Sequence, residues 1–222
     1  MTSQSVLIAG MAVLAYLIGS IPTAFLAGKW LKGIDLRQYG SGTVSGSMVW
    51  EHVGKWALFP VGIFDVLKGA MPVWISLAVG LSANSAAWVG LCAVLGHNWP
   101  IFLKFHGGRG LSPFFGILLV LFPGGLLFML VVLGVGLILD ISAPLVLVAL
   151  GLLPLLSGYL HGSSAIQAVS WGMLTITAAK RLEANHRPLP VDARERWQVI
   201  FLRLFLDRDI KDHQKWVRRT PL

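Results

Sequence analysis

Six apolar stretches separated by short polar segments make up most of this 222-residue chain. A helix needs about 20 mostly apolar residues to cross the hydrocarbon core of a bilayer. The pattern predicts such helices at residues 5–28, 57–80, 86–103, 141–158 and 162–179. A longer stretch, 113–139, is interrupted by Pro123-Gly124-Gly125. Pro followed by two Gly favours a turn, so this stretch predicts two spans joined tightly. The first of them, near 113–122, is too short to cross unaided. It has to be half-buried against other helices or sit where the bilayer thins.

Charge decides how the spans are threaded, because Lys and Arg collect on the cytoplasmic side. With the N-terminus outside, loop 29–56 lies inside with Lys29, Lys32, Arg37 and Lys55. Loop 104–112 lies inside with Lys104 and Arg109, and residues 180–222 lie inside with eleven more cations. The loops near 81–85, Pro123 and 159–161 lie outside and hold no Lys or Arg. Seventeen of the 18 Lys and Arg thus share one side, and Lys68 sits within a span. A single long helix over 113–139 would put the basic tail outside. The expected fold is an all-α integral membrane protein of about seven transmembrane helices, N-terminus outside and C-terminus cytoplasmic. It comprises a polytopic membrane domain, 1–180, and a basic amphipathic cytoplasmic tail, 181–222.

Composition agrees with that class. Hydrophobic residues are 55% and charged residues 13%, with a mean hydropathy of +0.73, too little charge to cover the surface of a soluble domain. Met1 to Gly28 carries no basic leader region and reads as a retained first span, not a cleaved signal. Cys92 is the one cysteine, which excludes a disulfide within the chain and a Cys-rich metal site. It reads as a small buried hydrophobe. In the tail, Trp197, Ile200, Phe201, Leu204 and Phe205 recur at spacings of three and four, with Arg194, Arg196, Arg203 and Arg208 nearby. That predicts an amphipathic helix over Arg194 to Asp207, suited to anionic membrane lipids. A helix packed on the cytoplasmic loops is the alternative.

Two polar loops on the inner side are candidates for chemistry. Residues 40–47 read GSGTVSGS, in which Gly40 and Gly42 let the backbone approach a ligand and adopt positive φ. Ser41, Thr43, Ser45 and Ser47 add hydroxyls, and a helix starting near Met48 would turn free N–H groups toward the loop. Residues 107–110 read GGRG: Gly107, Gly108 and Gly110 expose backbone donors, and Arg109 offers a fork that matches phosphate. Lys104 and His106 precede it, and Ser112 is placed to cap the following helix. A short interhelical turn with inner-side cations is the plainer reading of this loop. Asp65 and Lys68, three residues apart on one helix face, are charges inside a span, which usually face a polar interior or each other. Beside the two loops they suggest a cationic anion site. His97, in Gly96-His97-Asn98-Trp99-Pro100, reads as an interfacial histidine. No metal-ligand spacing, Walker loop or HxxxxD pattern is present.

Taken together, these loops resemble a bacterial membrane family that transfers an acyl group from acyl-phosphate to glycerol-3-phosphate. That family carries LIGSIP in its first helix, as do Leu17 to Pro22 here. Its first loop is similar to IDIRxxGSGNxGATNxxRxxGK, and residues 34–55 read IDLRQYGSGTVSGSMVWEHVGK. Its DxxKG is matched by Asp65, Lys68 and Gly69. Its GHxxPxFxxFKGGKGVAT is matched over residues 96–113 by GHNWPIFLKFHGGRGLSP. The chain departs from the family at Thr43, Met48, Glu51, Arg109 and Pro113. Of the third motif, RHxxNIKRLLxGxE, it keeps only Lys180-Arg181-Leu182, with Thr175 and Ala178 at the family His and Asn.

The resemblance, over roughly residues 8–182, implies a multi-pass enzyme of the bacterial cell membrane that makes lysophosphatidate. Its implied partners are acyl-phosphate and glycerol-3-phosphate, with no cofactor, metal or nucleic acid. It implies Ser41 in the reaction centre, and Lys68, Lys104 and Arg109, with Gly40, Gly42, Thr43, Ser45, Gly107, Gly108 and Gly110, around the phosphates. The alternative is a catalytically degenerate relative that binds lipid or acyl-phosphate or supports a lipid-synthesis complex. A small transporter fits less well, because the charges cluster at one face and not at the midplane.

Overall fold

The chain's first apolar span is broken at Pro22. In the computed structural model, which describes residues 3–40, 42–160 and 162–217, α1 (Ser3–Gly19) and α2 (Thr23–Lys32) replace the single helix expected over 5–28. Proline has no N–H to continue a helix and clashes with the turn before it. The chain passes the break at Ser20-Ile21-Pro22 and leaves the Ile21 carbonyl without a helical partner inside its own span.

A short inner-loop helix follows, α3 (Gly46–His52), then α4 (Leu58–Ala78) and α5 (Ala83–Asn98). The stretch predicted to turn at Pro123 is indeed two helices, α6 (Leu111–Leu121) and α7 (Pro123–Ile138), but the break lies one residue earlier. Phe122 has non-helical angles, and Pro123 opens α7 where its missing N–H costs nothing. Both glycines are helical, and Gly125 makes room for the Phe122 ring. The helices α8 (Ser142–Tyr159), α9 (Ser164–Glu183), α10 (Ala193–Leu206) and α11 (His213–Val217) complete the described chain, in which no strand occurs. Gly110, at φ 74°, is the cap residue of α6, a place expected for Ser112.

The burial pattern is that of a membrane protein. On α4, Val61, Asp65, Lys68, Gly69, Pro72, Val73 and Ser76 are buried at helical spacing. Phe59, Ile63, Phe64, Leu67, Met71 and Trp74 on the opposite face are exposed. The polar side chains are inside and the large apolar ones outside, which water would penalise heavily and lipid does not. Among the described residues, four segments are long and apolar enough to cross a bilayer: Ser3–Lys32, Lys55–Ala78, Ala83–Leu103 and Ser142–Tyr159. Helix α6 is only 11 residues, roughly 17 Å against a hydrocarbon core of about 30 Å. Pro113 through Leu118 are all buried, so its neighbours shield the short helix.

Helix α5 is the central post, packed on α1, α4, α6 and α9. Glycine permits the closest of these approaches. A Cβ on Gly19 would lie 2.1 Å from the Ala93 carbonyl oxygen, and one on Gly96 2.1 Å from that of Tyr16. Between α4 and α6, Cβ atoms on Gly69 and Gly116 would meet the Pro113 and Val66 carbonyl oxygens at 1.8 and 2.0 Å. Small residues let membrane helices touch backbone to backbone, where packing replaces the missing hydrophobic drive. Gly116→Val is therefore expected to force α4 and α6 apart and to destabilise the protein by about 3 kcal/mol or more. Gly62→Ala, with nothing within 4 Å of the added carbon, is the control. Unfolding in detergent measures both, and equal midpoints would refute the close packing.

Candidate active site

The buried Lys68 ammonium fills the gap left by the broken first span. Its Nζ donates to the Ile21 carbonyl, to Thr23 Oγ1 at 3.0 Å and to Asp65 Oδ1 at 2.6 Å. Thr23 Oγ1 in turn donates to the same carboxylate oxygen at 2.5 Å. All three ammonium protons thus have acceptors. A charge in the apolar interior is tolerated only when paired and hydrogen-bonded in this way. His97, its side chain only 9% exposed, adds Nδ1 at 3.7 Å from Asp65 Oδ1.

Beside this cluster a small cleft opens. It is lined by Ser20 to Thr23 at the break, by Lys68 and His97, and by Val44, Gly107 and Gly108 from the two loops. The loops are joined directly, since the Val44 N–H donates to the Gly107 carbonyl at 3.2 Å. The Gly108 N–H donates to the His97 carbonyl at 3.1 Å. Glycine is obligatory here: a Cβ on Gly107 would meet the His97 carbonyl oxygen at 2.3 Å, and one on Gly108 would meet His97 Nε2 at 2.2 Å. In the first loop Gly40 and Gly42 have φ of 48° and 69°. Thr43, Ser45 and Ser47 form a hydroxyl ladder with 3.0 Å steps. Helix α3 begins at Gly46, two residues before the expected start, and Ser45 makes no side-chain cap bond to it. The Arg37 guanidinium, hydrogen-bonded to Asp35 at the loop's entry, holds that carboxyl below the ordinary carboxylate range.

Of the expected site residues, Lys68, Gly107 and Gly108 share one cleft. Ser41, expected in the reaction centre, lies outside the described residues, between the described Gly40 and Gly42. Lys104 is exposed and does not line the cleft. The Arg109 guanidinium also turns away from it. Its Nε donates to Asp207 Oδ2 at 3.0 Å, another nitrogen lies 2.8 Å from Asp207 Oδ1, and a third donates to the Lys180 carbonyl at 2.9 Å. Glu51, where the resembling family has Arg, is exposed and off the cleft wall. Thr175 is also exposed and donates to the Trp171 carbonyl of its own helix.

The end of α9 and the tail contribute Lys180 and Arg181, kept from the third motif, and Asn185 and Arg187, which no motif flagged. Lys180 is fully buried, 2.9 Å from Glu183 and 4.9 Å above the Trp99 ring. Arg181 donates to the Ala143 and Leu204 carbonyls and so ties α9 to α8 and α10. Asn185 Nδ2 reaches both glycine loops, and Arg187 reaches the Gly40 carbonyl. Asn98, fully buried at the end of α5, has no hydrogen-bond partner for either amide atom among the described residues.

Residues 9–189 match the family described as glycerol-3-phosphate acyltransferase. Glycerol-3-phosphate acyltransferase 5 of Dehalococcoides mccartyi is 41% identical over 221 residues, covering 95% of this chain and 92% of that protein. Glycerol-3-phosphate acyltransferase of Synechococcus sp. (strain CC9902) is 41% identical over 165 residues, covering 72% and 80%. The crystal structure of PlsY (YgiH), an integral membrane glycerol 3-phosphate acyltransferase, in its glycerol 3-phosphate form superposes with a TM-score of 0.72 at 28% identity. It covers 81% of this chain and 90% of that one. Its lysophosphatidic acid form gives 0.70 at 27%.

Removing Lys68 tests the buried cluster. Lys68→Met leaves the Asp65 carboxylate without its cation and is expected to cost roughly 3–5 kcal/mol. Adding Asp65→Asn should recover a substantial part of that loss, because the uncompensated charge goes too. Detergent unfolding of the two single variants and the double variant checks the coupling, and strict additivity would contradict it.

Proposed function

We propose that this chain, which belongs to the glycerol-3-phosphate acyltransferase family, acylates glycerol-3-phosphate from an acyl-phosphate donor at the cytoplasmic face of a bacterial cell membrane. The observation that carries this reading is the cleft itself: one buried cation and two glycine loops meet at a break in the first span. A hydroxyl oxygen of glycerol-3-phosphate attacks the acyl carbonyl carbon, the carbonyl-to-phosphate C–O bond breaks, and the hydroxyl proton leaves with the phosphate. The products are lysophosphatidate and inorganic phosphate. An acyl-phosphate is already activated, so the protein needs mainly to hold two anions in register and stabilise charge as the bond breaks.

Ser41 is assigned a hydrogen bond to the reacting group. Lys68 supplies a fixed positive field at the base of the cleft, and Lys104 and Arg109 supply cations at its approach. Gly40, Gly42, Gly107, Gly108 and Gly110 let the backbone close on the phosphates, with the hydroxyls of Thr43 and Ser45 as further partners. In this reading Arg109 exchanges part of its pairing with Asp207 for substrate.

The membrane disposition belongs to the same proposal. Seven spans, N-terminus outside, place both glycine loops and the tail 181–222 on the cytoplasmic side. Helix α10 packs beside α8 and α9, buries Leu202 and Arg203, the latter on Asp209 and the Leu182, Arg187 and Pro188 carbonyls of the tail, and leaves Trp197, Phe201 and Phe205 exposed. Amphipathic aromatic faces flanked by Arg seat on anionic membrane surfaces, and that is the role assigned to this face.

Transfer of radiolabelled acyl groups from synthetic acyl-phosphate to glycerol-3-phosphate by the purified protein tests the chemistry. Ser41→Ala should lower kcat about 100-fold with little change in stability. Lys104→Ala should raise KM for glycerol-3-phosphate by about tenfold with kcat nearly unchanged. Binding of acyl-phosphate or lysophosphatidate with no turnover would instead favour the degenerate relative.

Reporters fused after Ser82 and after Leu222 should lie on opposite sides of the membrane. A spin label at Trp197→Cys should be shielded by anionic bilayers, and less so at high salt. Reporters on one side, or a label in free water, would contradict this disposition.

A further inference from the structure

We propose that Asn185 and Arg187 are positioning residues of the acyl-transfer site, holding the Ser41 loop and the GGRG loop in register from the tail. The proposal rests on the acyl-transfer reading above.

Ala184, Asn185 and His186 have φ of 48°, 52° and 63°, three consecutive non-glycine residues in the left-handed region. L-residues visit that region as single positions and at a cost. A run of three persists only where the surroundings impose it, and such strain gathers at functional sites. Here the Glu183 carboxylate imposes it: Oε1 accepts from the His186 N–H at 3.0 Å, and Oε2 from Lys180 Nζ at 2.9 Å.

The strained turn aims the buried Asn185 amide at the junction of the two loops. Nδ2 donates to the Gly42 carbonyl at 2.9 Å and to the Gly107 carbonyl at 3.3 Å. A flipped amide would set its oxygen against two carbonyl oxygens, so the chemistry fixes the orientation. The Arg187 guanidinium donates to the Gly40 carbonyl at 2.7 Å and stacks 4.6 Å over the Trp216 ring. Carbonyls on both sides of Ser41 are therefore held by the same tail segment. Asn185 Oδ1 is left buried without a partner among the described residues. A group present only to stabilise the fold would be expected to satisfy both ends of its amide.

Asn185→Gly separates positioning from folding. Glycine adopts positive φ without steric cost, so the turn survives and only the amide is lost. The thermal midpoint should stay within about 4 °C of wild type, while kcat falls at least about tenfold. Amide exchange in segments 40–44 and 105–110 should accelerate by at least about tenfold, with the spanning helices unchanged. Arg187→Lys, which keeps the charge and one donor, should retain more activity than Arg187→Met. An active wild type with Asn185→Gly within twofold of it, or unchanged exchange in both loops, would overturn the proposal. A wild type without turnover would overturn the acyl-transfer reading and remove the proposal's basis, a result distinct from either.

Discussion

Every part of the site leans on the ammonium of Lys68. A cation taken from water into an apolar bundle is costly, and it is stable here because three acceptors were prepared for it. Two of them, the Ile21 carbonyl and the Thr23 hydroxyl, exist as acceptors because Pro22 breaks the first span. The third is Asp65, one turn away on the same helix. The break and the charge thus explain each other. An unbroken first helix would consume the Ile21 carbonyl, and a neutral residue at 68 would leave the Asp65 carboxylate without its cation.

From that contact the cleft is assembled outward by close approach. The glycines of the second loop lie almost on the end of α5, and the first loop is hydrogen-bonded to the second through Val44 and Gly107. Such contacts leave little freedom, which suits a reaction whose catalysis is largely placement and preorganised charge. The cations outside the cleft are placed differently. Arg109 is already committed to Asp207 and the Lys180 carbonyl, whereas Lys104 is in solvent. The interior charge is fixed by its buried partners, whereas Arg109 is held on the tail.

Much of this was legible in the order of residues. Apolar run length located the long helices, four of which among the described residues are long enough to cross a bilayer, and the Asp65–Lys68 spacing flagged the lysine that lines the cleft. The shortness of the span near 113–122 also foretold its burial among neighbours. Two things were not legible, for physical reasons. The interruption of the first span was masked because the segments on both sides of Pro22 are apolar, so chiefly the proline's missing N–H announces it. The role of the tail was hidden because it depends on pairings far apart in the chain, Arg109 with Asp207 and Asn185 with Gly42 and Gly107. It also depends on a left-handed turn made of Ala, Asn and His, in which no glycine flags the conformation.

The central position of α5 bears on how the protein is made. Spans enter the bilayer one after another as the chain is synthesised. Helix α5 meets α1 and α4 early, but one of its flanks waits for α9, where Gly172 approaches the Leu91 side chain. Until that last partner arrives, the post that carries His97 and Asn98 stands with one side against lipid. The loops that close on it also lack the tail residues that bind them. The bundle is therefore completed only once α9 and the residues just after it are made, and a ribosome that stops before α9 leaves spans that are threaded but not yet an enzyme.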